Sequence, residues 1–117
     1  MTLRLTPDLL ASGYDFLRQT EPFKGWKLPE GEEIGFAVIA DPKVYADFGT
    51  NENGIPIIRV STAKNGHTQT ILATLAHEMI HLHQHLKGLA RGGEHNADFW
   101  KRAKRVCAAH GFDPLTF

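Results

Sequence analysis

The residues best suited to chemistry in this chain are two histidines and a glutamate within five positions. His77, Glu78 and His81 form the pattern His-Glu-x-x-His. On a helix, which turns by about 100° per residue, histidines four apart project within about 40° of each other, so both can bind one metal ion. Glu78 lies at the edge of that face, where its carboxylate can take a proton from water. The pattern predicts a zinc site for hydrolysis, with Glu78 as general base.

A catalytic zinc site needs a third protein ligand and an open fourth position. The longer metzincin pattern is excluded, because Gln84 and Lys87 stand where it has glycine and histidine. His85 lies about 80° around the helix from His77 and about 12 Å along its axis, too far to bind the same ion. We predict that His85 and His83 are surface residues. By residue type, four downstream candidates stay open: Glu94, His95, Asp98 and His110.

The helix that must carry this pattern is predicted from apolar residues three and four apart. These residues are Leu72, Leu75, Met79, Leu82 and Leu86. They predict a helix from Thr68 to about Lys87, which Gly88 ends. The apolar stripe is centred about 160° from the His77 and His81 pair. One face of the helix is therefore expected to pack on the core, and the other to face the metal.

The surrounding segments predict an α+β fold in a single domain of residues 1–117. Thr6-Pro7-Asp8 predicts the start of a helix near 7–19, and 20–33 is expected to be loop. Two β-branched runs, Ile34–Ala40 and Ile55–Ser61, predict strands of a small antiparallel sheet. The segment Val44–Phe48 fits a third strand or a helical turn. A glycine-rich turn precedes the last predicted helix, near 96–110.

Composition limits the classes of protein that fit. Thirteen basic residues balance thirteen acidic ones, which gives no general attraction to nucleic acid or to an anionic membrane. No apolar run approaches the roughly 20 residues that cross a bilayer. Cys107 is the only cysteine, so no disulfide can form within the chain, and we expect it to pack in the core. With no signal-peptide pattern at the start, these features favour a cytoplasmic protein without membrane contact.

The two-part histidine pattern resembles that of the SprT-like (Spartan-type) metallopeptidases. His77-Glu-Met-Ile-His81 is followed, after a glycine-rich turn, by His95-Asn-Ala-Asp-Phe99-Trp100. In that family the third ligand is a histidine that opens an H-G-x-x-F-like segment. The resemblance covers about residues 55–111, and Asn96 stands where the family usually has glycine. It implies that zinc binds His77, His81 and His95, that Glu78 is the base, and that Phe99 packs the last helix under the site.

We therefore predict a zincin-like peptidase whose substrate is a protein or peptide. The strand Ile55–Ser61 is expected to offer an edge on which an extended peptide pairs. The oxyanion donor stays open among Tyr14, Tyr45, Arg59 and His67, and Asp98 is a possible partner of a ligand imidazole. The sequence leaves the oligomeric state open.

Two other functions remain open. One is a metal-dependent hydrolase that acts on bonds other than peptide bonds. The other is a non-catalytic protein in which zinc only holds the last two helices together. Such a module would bind DNA or protein through its basic residues Lys101, Arg102, Lys104 and Arg105, for which a solvated helix face is the simpler interpretation.

Overall fold

The computed structural model describes residues 5–63 and 68–117. In chain order the elements are α1 (Pro7–Arg18), two 3₁₀ turns (Phe23–Trp26 and Gly31–Glu33), β1 (Gly35–Ile39), β2 (Ala46–Thr50), β3 (Pro56–Ser61), α2 (Thr68–Lys87) and α3 (Ala97–His110). The Thr6 side chain caps α1 by accepting a hydrogen bond from the amide of Leu9 at 3.1 Å. The predicted α+β fold is confirmed at the level of three helices and a three-stranded sheet in the described residues.

The sheet is mixed, so the prediction of an antiparallel sheet was wrong. Its strand order is β1-β3-β2, with β1 parallel to β3 and β2 antiparallel to β3. The chain reverses direction once before β2 and again at the turn that Asn51 closes. Because it reverses twice, β3 runs parallel to β1. The segment Val44–Phe48 was predicted as either a strand or a helical turn. Its last three residues belong to β2, which starts at Ala46.

The order of the strands also corrects the predicted substrate edge. β3 contains most of the Ile55–Ser61 run, but it lies in the centre of the sheet and is paired on both sides. It therefore has no free backbone groups to offer a peptide. In the described part of the chain the edge strands are β1 and β2, and α2 packs against β2 and β3. The edge next to the α2 helix is thus β2.

The core lies where α1, α2 and α3 meet the sheet. Its large, fully buried side chains include Leu10, Tyr14, Leu17, Phe23, Ile58, Val60, Leu75, Met79, Leu82, Phe99 and Val106. Cys107 is also buried, as predicted. No helix among the described residues is long and apolar enough to cross a membrane. α2 and α3, between which the site histidines lie, share this one apolar core.

α2 follows its predicted bounds, but its apolar stripe is shorter than expected. Leu82 is fully buried, whereas Leu86 is 46% exposed because the last turn of the helix extends past the core. His83 was expected at the surface and is instead buried, with its ring 4.5 Å from that of Trp26. His85 is exposed, as predicted. Burial along this helix therefore ends between positions 84 and 85.

Alanine substitution of the two leucines tests this boundary. Leu82→Ala removes a buried side chain and is expected to lower the free energy of unfolding by about 2–5 kcal/mol. Leu86→Ala, four residues later on the same helix, is expected to change it by about 0.5 kcal/mol or less. Urea denaturation of both variants provides the measurement. Equal losses would show that Leu86 packs in the core.

Candidate metal centre

Three histidine side chains meet at one point beside α2. His77 and His81 lie one turn apart on the helix, and His95 lies in the turn before α3. The Nε2 atom of His77 lies 3.2 Å from that of His95 and 3.3 Å from that of His81. One nitrogen from each ring can be chosen so that all three lie within 4.8 Å of one another. Such a spacing lets the three rings bind one cation.

The two helical histidines are held in the form that binds metals. Burial, with the charge of the neighbouring His81 as the second cause, lowers the pKa of His77 to about 4. Burial likewise lowers the pKa of His81 to about 4, with His95 as the second cause. At neutral pH both imidazoles are therefore uncharged, and each has a nitrogen lone pair free for a cation.

The orientation of His77 is set by the end of the described chain. Its Nδ1 lies 2.8 Å from the main-chain oxygen of Phe117, which can only accept a hydrogen bond. Nδ1 therefore carries the proton, and Nε2 is left to face the other histidines. Phe99 is fully buried beneath the cluster, with its ring centroid 4.7 to 4.9 Å from those of all three histidines.

His95 is positioned by the residue that follows it. Asn96 caps α3, because its Oδ1 accepts a hydrogen bond from the amide of Phe99 at 3.0 Å. Its Nδ2 donates to the carbonyls of Leu89 and Arg91, both at 2.9 Å, which ties the preceding turn to the helix. The backbone at Asn96 has a φ of −77°, a value that needs no glycine. The positive φ angles occur earlier, at Gly92 and Gly93.

The other candidate ligands point elsewhere. Asp98 accepts hydrogen bonds from Gln84 and Arg102, so it does not orient a ligand imidazole. His110 pairs through Nε2 with the hydroxyl of Thr20 at 2.9 Å. Glu94 is exposed and does not belong to the histidine group, although its charge reaches His77 and raises the pKa of that ring slightly. Geometry thus groups His95, alone of the four candidates, with the helical pair.

Glu78 directly follows His77 on α2 and lines the same cleft. It is 5% exposed, and burial raises its pKa to about 8, with smaller contributions from the charges of Asp47 and Glu94. A cation on the histidines would act in the opposite direction and favour the carboxylate. A buried acid beside a cation site can hold or release a proton near neutral pH.

His77 and Glu78 line a cleft of about 680 Å³. Its other walls come from the start of β2, from α2 and from the segment after α3, and they comprise Val44, Tyr45, Ala46, Thr70, Ala73, Thr74, Phe112, Asp113, Thr116 and Phe117. Most of these side chains are small or apolar. The cleft therefore meets β2 at the first residue of the strand.

The candidate oxyanion donors differ in whether they line this cleft. Tyr45 lines it. Tyr14 is buried in the core and donates its hydroxyl to the carbonyl of Pro29 at 2.6 Å. Arg59 forms a two-pronged ion pair with Asp47, at 2.6 and 2.7 Å. The fourth candidate, at position 67, lies outside the described residues. Tyr45 is thus the described candidate best placed for such a role.

The SprT-like family model matches residues 30–116, a span that contains the sheet, the histidine cluster and Glu78. The chain belongs to the SprT-like family. The predicted resemblance is therefore confirmed, and the match begins well before residue 55, where the resemblance was first placed. A search of curated proteins found no match to this SprT-like chain.

Two contributors to the SprT-like site were missed in the sequence. The main-chain oxygen of Phe117 lies 40 residues from His77 in the chain, and a backbone atom leaves no residue-type signal. Gln84 is fully buried and bonded to the turn that carries His95. Its position seven residues after His77, two helical turns away on the same face, is a signal that could have found it.

Proposed function

We propose that this SprT-like protein is a zinc-dependent peptidase with a zincin-like site, in which His77, His81 and His95 bind the metal and Glu78 is the general base. The single observation that carries the proposal is the convergence of three histidine nitrogens within 4.8 Å, next to a buried glutamate on the wall of a cleft. Three neutral nitrogen ligands with an open side are typical of catalytic zinc.

The donor set fits zinc better than a hard cation. Magnesium and calcium prefer carboxylate and carbonyl oxygens, whereas imidazole nitrogens suit zinc. Among the described residues the group consists of histidines alone, so no fourth protein ligand closes it. When bound, zinc would supply Lewis-acid activation of a carbonyl and would lower the pKa of water toward about 7.

Glu78 would carry the protons of the reaction. Its carboxylate lies on the cleft wall beside His77, within reach of a water that enters the cleft. It would accept the proton of that water as the water attacks the peptide carbonyl, and then pass the proton to the departing amine. The amine thus leaves in neutral form.

A peptide would pair with the free edge of β2. This strand lies at the side of the sheet, its start lines the cleft, and α2 packs against it. An extended substrate can form main-chain hydrogen bonds with such an edge. The hydroxyl of Tyr45, at the start of the strand, would stabilise the oxyanion.

The alternative is a non-catalytic module in which zinc holds α2 and α3 together and the basic residues of α3 bind DNA or protein. Lys101, Lys104 and Arg105 are exposed, whereas Arg102 pairs with Asp98 at 3.0 Å. A closed structural site would favour a fourth ligand and has no need for a buried acid, since burying an acid is costly to the fold. Glu78 therefore favours the peptidase.

Zinc content and activity together test the proposal. We expect one zinc per chain after purification without added metal, and casein or peptide cleavage that is lost on chelation and recovered with zinc. Elemental analysis and a cleavage assay provide the measurements. The double variant His77→Ala, His81→Ala should retain no zinc. A parent protein without any transition metal, or a double variant with full zinc, would contradict the assignment.

A further inference from the structure

Gln84 occupies an unusual position for a polar side chain. It is fully buried, yet it lies on the metal-facing side of α2. Seven residues separate it from His77, which places the two within about 20° around the helix axis, and three residues separate it from His81. Buried amides are normally fully hydrogen-bonded, because an unpaired polar group is costly. The partners of Gln84 therefore indicate what it does.

The amide nitrogen of Gln84 joins α2 to the start of α3. Nε2 donates to Oδ1 of Asn96 at 3.0 Å and to Oδ2 of Asp98 at 2.9 Å, which uses both of its hydrogens. Asn96 directly follows His95 and also binds the preceding turn and the amide of Phe99. The exposed His95 is thus held next to the helical pair by a buried contact at its neighbour.

The amide oxygen of Gln84 has no partner. Oε1 is buried and accepts no hydrogen bond in the structure. The two bonds of Nε2 fix the amide plane and leave Oε1 directed away from Asn96 and Asp98. Gln84 follows His81 by three residues on α2, so the two side chains are neighbours on one face of the helix. His81 directs its Nε2 to the cluster, so its Nδ1 is the ring nitrogen that remains for Gln84.

We propose that Gln84 is a positioning residue of the metal site, in which Nε2 holds the turn that carries His95 and Oε1, unpaired in the metal-free structure, accepts a hydrogen bond from Nδ1–H of His81 in the zinc-bound protein. A histidine that binds a metal through one nitrogen almost always donates its other N–H, which fixes the ring. The main-chain oxygen of Phe117 does this for His77. Gln84 does it for His81, and one side chain thereby links the second ligand to the third.

Gln84→Met tests this role, because methionine keeps the length of the side chain and removes both polar groups. The fold is expected to tolerate the change, since Asn96 Oδ1 still accepts a hydrogen bond from the amide of Phe99, and Asp98 still pairs with Arg102. Zinc affinity, measured by competition with a chelating dye, is expected to fall about 10- to 100-fold. Leu82→Ala is the control, because it weakens the core without touching the ligands, and its zinc affinity is expected to stay within about twofold of the parent.

The inference rests on the proposed zinc site, and the same titration separates the two. A parent that binds no zinc would refute the site itself. If the parent binds zinc and Gln84→Met binds it with the same affinity, only the role of Gln84 is refuted. If Gln84→Met does not fold, the zinc-loaded parent decides by NMR: we expect a slowly exchanging proton on Nδ1 of His81, and its absence would overturn the proposal.

Discussion

Glu78→Gln is expected to retain zinc and the fold while peptide cleavage falls by at least about 10²- to 10⁴-fold, the usual contribution of a general base. Glutamine keeps the shape of the buried side chain but cannot accept a proton from water. Removing the acid also removes a buried group whose pKa is raised to about 8, so the metal-free fold should not be weakened by the change. Cleavage rate and zinc content measured on one preparation give the test.

Glu52→Gln provides the matched control for this change. Glu52 is exposed in the turn between β2 and β3, and it does not line the cleft. Its substitution should leave cleavage at the parent rate. If Glu78→Gln cleaved as fast as the parent, another group would have to be the base. If it lost zinc as well as activity, Glu78 would instead support the metal site.

Removal of His95 is expected to weaken metal binding strongly. His95→Ala leaves only two ligands on α2, so zinc affinity should fall by more than the roughly 100-fold that follows loss of a residue hydrogen-bonded to a ligand. His85→Ala should leave affinity nearly unchanged, because His85 is exposed on the last turn of α2 with its ring 5.5 Å from that of Phe48. Equilibrium titration with zinc compares the two variants.

Glu94→Ala distinguishes the remaining alternative ligand. Glu94 is next to His95, and its charge acts on both His77 and Glu78. If Glu94 were the third ligand, Glu94→Ala would be the variant that loses zinc affinity. We expect Glu94→Ala to bind zinc nearly as tightly as the parent, since Glu94 does not join the histidine group. Full affinity in His95→Ala together with a large loss in Glu94→Ala would reverse the assignment.

Local interactions explain why much of the site could be predicted. The positions of His77 and His81 on one face follow from the helical repeat, and the helix bounds follow from apolar spacing and from Gly88. Neither depends on a distant part of the chain. The family resemblance added His95, and the structure places it beside the other two histidines. These features depend on residue type and spacing over short stretches.

Strand order could not be predicted in the same way. Each strand was found from its β-branched residues, but the alternation of side chains does not reveal which strand pairs with which. The parallel pairing of β1 with β3 depends on two chain reversals, and in the described sheet it leaves β2, not β3, at the edge next to α2. The surface on which a peptide would pair was therefore a property of the tertiary structure.

The amino-acid sequence by itself predicted where a metal site could form, since His-Glu-x-x-His on a helix places two imidazoles on one face with a carboxylate at its edge. The tertiary structure decided which groups contact the side chains of this helix. The buried environment of His83, the amide of Gln84 and the main-chain oxygen of Phe117 all depend on contacts with elements distant in the chain. A hydrogen bond of this kind needs only a donor and an acceptor brought together by packing, and many residue types supply either.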